Sequence, residues 1–147
     1  MRTAFKVYGQ PEGKARPRFT RQGRVYTPAK TKSYELAIAR AFLGAGGKCF
    51  HDAVIVEISA YYRIPKSTTK TQIKEIESGR KRPLVKPDID NVIKIVLDGL
   101  NKVAFDDDKQ VIGIVTRKIY GLTPRIEVEV YDVEEECNDQ KKNYNIE

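Results

Sequence analysis

The chain has 147 residues, 40% of them hydrophobic and 32% charged, with a formal net charge of +7. That size and balance read as one soluble globular domain, and no apolar run approaches the length of a membrane-spanning helix. The N-terminus lacks the apolar stretch and small-residue cleavage site of a secretory signal. Cys49 and Cys137 show neither disulfide nor zinc spacing, so a reducing cytoplasm is the expected setting.

Residues 3–9 alternate and end in glycine, which predicts a first strand. Residues 10–27, rich in Gly, Pro and Arg, read as an extended loop or irregular hairpin. Thr27-Pro28 opens a helix running to about Leu43, stopped by Gly44, Gly46 and Gly47. Residues 53–62, β-branched and aromatic, make the strongest strand. A short polar helix fits 69–78, and a basic, proline-containing connection follows from Gly79 to Lys86. From Ile89, apolar residues at 89, 92, 93, 96, 97, 100 and 103 trace a helical stripe, with Asp88 placed to cap it. Strands at 109–120 and 125–132 are joined by the Gly121–Pro124 turn. The order β-α-β-α-α-β-β predicts an α/β (α+β) fold, a mixed β-sheet of about four strands with helices packed against it. The expected organisation is one domain over 1–132 and an acidic, flexible tail over 133–147.

Charge is unevenly spread. Residues 1–87 hold nineteen Lys/Arg against six Asp/Glu, whereas 88–108 hold two lysines against six aspartates. A basic field attracts a phosphate backbone, and a bare acidic island inside it would repel that same backbone unless a cation lay between. A single histidine, His51, excludes a multi-histidine metal site and leaves catalysis to carboxylates, lysine and a hard metal ion. It follows Cys49-Phe50 in a loop and reads as an ordinary surface histidine.

The acidic residues are Asp88, Asp90 and Asp98, then Asp106, Asp107 and Asp108. On a helix starting at Asp88, Asp90, Lys94 and Asp98 share one face, spaced four apart. If the Asp106–Asp108 turn folds back toward Asp88, three carboxylates converge as oxygen ligands suited to magnesium, with manganese as a substitute. Lys94, one turn from Asp90, is placed to neutralise charge on a phosphate under attack. Taken singly, each aspartate is as readily a helix cap or a solvated surface charge. No EF-hand spacing and no Gly-rich nucleotide loop accompanies them, so no nucleotide cofactor is expected.

The run Pro-Asp-Ile-Asp-Asn-x-x-Lys (87–94), Leu-Asp-Gly-Leu (97–100) and Asp-Asp-x-Gln (107–110) resembles the RusA family of Holliday junction resolvases. The N-terminal Gly-Lys-Ala-Arg-Pro-Arg-Phe-Thr segment resembles its prophage-type members. The resemblance implies a magnesium-dependent endodeoxyribonuclease that resolves four-way junctions as a homodimer, in recombination and repair. It puts metal ligands at Asp88, Asp90 and Asp108 and a catalytic lysine at Lys94. Asp107 is a competing or additional ligand, because Asp106 extends the acidic pair to a triplet. A two-fold dimer also matches the near two-fold symmetry of a junction cut on opposing strands.

Two basic segments are candidate DNA contacts. Lys14, Arg16, Arg18, Arg21 and Arg24 interleave with Phe19 and Tyr26, and Arg80, Lys81, Arg82 and Lys86 lead into the acidic motif. Each reads alternatively as a solvated loop. The competing functions are a nuclease for other branched DNA and a non-catalytic nucleic-acid binder. A phosphotransferase or glycosyltransferase using Asp-x-Asp is disfavoured by the absent nucleotide loop.

Overall fold

The computed structural model of the chain describes residues 1–144. Its centre is β4 (Val54–Arg63), whose alternation puts Val54, Val56, Ile58, Ala60 and Tyr62 on one fully buried face. On one side β4 pairs antiparallel with β6 (Arg125–Asp132), and on the other parallel with β5 (Val111–Gly121). The strand β1 (Arg2–Tyr8) completes a mixed sheet of order β1-β6-β4-β5. The expected mixed α+β fold with four strands is what forms.

β5 and β6, adjacent in the chain, are not neighbours in the sheet: they flank β4. The link between Gly121 and Arg125 steps over the end of β4, since Gly121 pairs with Arg63 and Arg125 with Tyr61. This leaves β5 as an eleven-residue edge strand with Ile112, Ile114 and Val115 exposed.

Two helices cover the buried face, α1 (Ala29–Gly44) and α3 (Ile89–Leu100). Ile38 and Phe42 of α1, and Val92, Ile95, Val96 and Leu100 of α3, are completely enclosed, as is Phe105 beyond α3. Each such side chain contributes roughly 1.5–3 kcal/mol of burial, while a partly exposed pair such as Lys94–Asp98 at 3.9 Å contributes up to about 1 kcal/mol. Packing against the sheet therefore fixes α3. The helices meet closely because Gly99 has no side chain, and a Cβ there would lie 3.0 Å from the Glu35 carbonyl and from Ile38. The opposite face of the sheet is partly open and carries charge ladders, Arg2–Glu129 at 2.7 Å and Lys6–Glu127 at 3.2 Å.

The polar helix α2 (Lys70–Glu77) starts with a capping box in which Thr69 and Gln72 exchange side-chain and backbone bonds. The N-terminal loop holds a small hairpin, β2 (Arg18–Phe19) with β3 (Val25–Tyr26).

Of the expected acidic tail, residues 133–144 form the helix α4 (Val133–Tyr144), and 145–147 lie outside the described residues. Its composition explains this. Asp132 accepts from the Glu135 amide, Glu134–Glu136 occupy the positive first turn, and Lys141 and Lys142 occupy the negative last turn. Arg2 anchors it through Asp139 and Glu135.

Candidate active site

Asp88 occupies the N-cap of α3 with extended backbone, yet its carboxylate accepts no capping hydrogen bond and is exposed. The side chain that would ordinarily satisfy the helix start is thus free for another partner. Asp90, also exposed, lies in the first turn, and exposed Lys94 sits one turn further along. Lys94 reaches Asp98 at 3.9 Å.

The position of Asp88 is set from the sheet. The Tyr62 hydroxyl donates to the Pro87 carbonyl at 2.7 Å, and Lys118 Nζ donates to the Val85 carbonyl at 2.7 Å. The Lys118 ammonium also stands over the Tyr62 ring, 5.0 Å from its centroid. Burial, with the Asp88 charge adding to it, pushes the Tyr62 hydroxyl up to about 12, so it stays protonated and donating at neutral pH. From the other side, the loop around Gly13 lies against the start of α3. Lys14 N donates to the Asn91 carbonyl at 3.0 Å, and a Cβ on Gly13 would lie 2.7 Å from the Pro87 side chain. Tyr62 and Lys118 carry no functional signal in the sequence, and Gly13 carries one only as part of the Gly-Lys-Ala-Arg-Pro-Arg-Phe-Thr segment. Only the fold brings them to residues 85–91.

Asp88 stands between two open clefts. One, of about 520 Å³, is lined by Arg82, Leu84, Thr116, Arg117 and Lys118. The other, of about 790 Å³, is lined by Arg16, Arg18, Lys30, Lys86 and Asn91 among others. Both walls are basic, so the field around this carboxylate favours an anionic chain passing on either side. Arg21 and Arg24 are exposed on the β2–β3 hairpin, beside Phe19 and Tyr26, which are 72% and 43% exposed. Arg80 is exposed, Lys81 is half-buried, and the Arg82 side chain donates back to the Gly79 carbonyl.

Lys14, expected as a DNA contact, lines the second cleft and is paired within the chain. Its ammonium pairs with Glu35 and with Asp98 (2.9 Å), and its side chain is only 15% exposed. Burial opposes the charge, but the two carboxylates outweigh it and raise the pKa, so Lys14 is a charged tie between the loop, α1 and α3.

The three carboxylates do not converge within one chain. Asp88 precedes α3 and the acidic turn follows it, and a twelve-residue helix spans about 18 Å. The sheet gives the same answer. Pro87 is held at Tyr62, near the end of β4, while Gln110 Nε2 donates to the Phe50 and Asp52 carbonyls just before β4 begins (2.9 Å each). The sequence places no constraint on where the turn goes after Leu100; the buried Phe105, bridged to Phe50, directs it away from Asp88.

Within the turn the aspartates differ. Asp107 caps the single 3-10 turn Asp108–Gln110, accepting from Lys109 N while the Gln110 side chain accepts from Asp107 N. Asp108 is exposed and makes no such cap. Asp106 pairs with His51 Nδ1 at 2.9 Å, and Cys49 Sγ lies 3.6 Å from its other oxygen. His51 is at the surface, as the sequence suggests, and is paired there with Asp106. Its hydrogen bond draws the Asp106 carboxyl below its ordinary range, against a smaller opposing effect of burial. Burial and the neighbouring Asp106 push the Cys49 thiol up.

The domain is a mixed sheet covered by helices, with carboxylates at the start of α3 between two basic clefts. The chain matches the family Endodeoxyribonuclease RusA over residues 8–131, and it belongs to that family of endonucleases. It is also similar to the uncharacterized protein YqaN of Bacillus subtilis (strain 168). The two are 36% identical over 135 residues, covering 88% of this chain and 95% of the relative. Among the described residues, no helix is long and apolar enough to cross a membrane.

Proposed function

We propose that the protein is a magnesium-dependent endonuclease that resolves four-way DNA junctions as a homodimer, in recombination and repair. The observation that carries this reading is the Asp88 carboxylate, unspent on its helix and standing between two basic clefts. Asp88, Asp90 and Asp108 supply the hard oxygen donors that magnesium takes, and they would hold it together with waters and a DNA phosphate. Held by these residues, magnesium would supply charge neutralisation at the scissile phosphate and a more acidic water for the attack. Lys94 places an ammonium beside the same phosphate, and Arg16, Arg18, Lys86, Arg82 and Lys118 hold the flanking backbone.

Because the carboxylates of one chain lie at opposite ends of α3, the site is proposed to be shared between two copies. The support is the outer edge of β5, which has no neighbouring strand in the sheet and exposes Ile112, Ile114 and Val115. Antiparallel pairing of two such edges about Gly113 sets the Asp108 end of one strand opposite Lys118 of the other. Lys118 lines the cleft beside Asp88. Two composite sites, related by the two-fold, then suit paired cuts on opposing strands.

The test is incubation of the purified protein with a synthetic four-way junction, a flap and a linear duplex, in magnesium or EDTA. Symmetric nicks confined to the junction and abolished by EDTA are expected. Equal cutting of flaps would move the substrate class to branched DNA in general, and binding without cleavage in magnesium or manganese would overturn the nuclease reading.

A further inference from the structure

Cys49 and His51 flank Phe50, which is 3% exposed and bridged to Phe105. In extended backbone, residues two apart share a face. Burying Phe50 therefore turns both neighbours outward together. Asp106 follows the buried Phe105 on the facing segment, and one ligand atom from each of the three lies within 4.8 Å of the others.

We propose that Cys49, His51 and Asp106 form a second metal site, for a borderline ion of the zinc class. Thiolate, imidazole and carboxylate are the donors such an ion takes, at about 2.0–2.3 Å, which sets neighbouring ligands about 3.3–3.8 Å apart in a tetrahedron. The Cys49–Asp106 separation of 3.6 Å is already in that range, and the His51–Asp106 contact of 2.9 Å needs only to open slightly. Binding displaces the thiol proton to solvent and leaves a thiolate on the ion. The segments are held in place without it. Phe50 N donates to the Ala104 carbonyl at 2.7 Å, Lys102 Nζ to the Asp106 carbonyl at 2.7 Å, and Gln110 to the carbonyls of Phe50 and Asp52. Little ordering remains for the metal to impose. His51 and Asp106 are 75% and 60% exposed, so the fourth position opens to water.

A thiolate and an imidazole reject magnesium, which separates this site chemically from the one proposed at Asp88, Asp90 and Asp108. The proposal does not depend on nuclease activity. Its consequence is local: an ion here staples the loop before β4 to the acidic turn that carries Asp108.

The test uses the whole protein, stripped of metal and kept reduced, titrated with cobalt(II) chloride and then with zinc chloride. A near-ultraviolet thiolate-to-cobalt band is expected, saturating at a single equivalent per chain and erased by zinc but not by excess magnesium. Cys49→Ser should abolish it and His51→Ala should weaken cobalt binding, whereas Cys137→Ser and Asp88→Asn should leave it intact. Absence of the band, its survival in Cys49→Ser, its loss in Cys137→Ser or its displacement by magnesium would each overturn the proposal.

Discussion

Aspartates that look alike in the sequence have different work in the fold. Asp107 spends its carboxylate on a turn and Asp106 on His51, while Asp88 and Asp108 remain exposed. This separates their substitutions by readout. Asp88→Asn should leave thermal stability unchanged and abolish junction cleavage in magnesium, with junction binding retained or tightened because a repulsive charge is gone. Asp107→Asn should keep some cap function, whereas Asp107→Ala should cost about 0.5–2 kcal/mol of stability in denaturant unfolding. An Asp88→Asn protein that no longer bound junctions would count against a purely catalytic role.

At the scale of elements, the site depends on how closely α1 and α3 approach. Gly99 is buried against Glu35 and Ile38, so Gly99→Val should destabilise the protein by about 1–3 kcal/mol, measured as a lowered denaturant midpoint. The same contact keeps Lys14 between Glu35 and Asp98. Its pairing exemplifies a limit of composition: a lysine in a basic stretch is indistinguishable from its neighbours until a helix from elsewhere in the chain supplies carboxylates. The helix α4 in the tail is the complementary case. Its polar composition lacks an apolar stripe, but the caps and end charges that favour a helix were present in Asp132, Glu134–Glu136 and Lys141–Lys142.

At the scale of the whole molecule, a shared site makes a prediction that a self-contained site does not. Asp88→Asn and Asp108→Asn proteins are each expected to be inactive alone. Mixed and allowed to exchange, they should regain nicking, because a mixed dimer holds one site with both aspartates intact and one with both replaced. A site built within one chain gives no recovery, so a gel of nicked junction against mixing ratio decides between them.

Most helix and strand positions, the basic field and the acidic island within it are legible along the chain because each rests on local periodicity, composition or spacing. So is the family, carried by the runs from Pro87 to Lys94 and from Asp107 to Gln110. What the tertiary structure alone decided was distance. The burial of Phe105 against Phe50 carries the acidic turn to the far end of α3 from Asp88, and brings Asp106 to a cysteine and a histidine more than fifty positions earlier. A spacing in sequence says which groups can share a helix face. Only packing of the core says which ends of the chain meet.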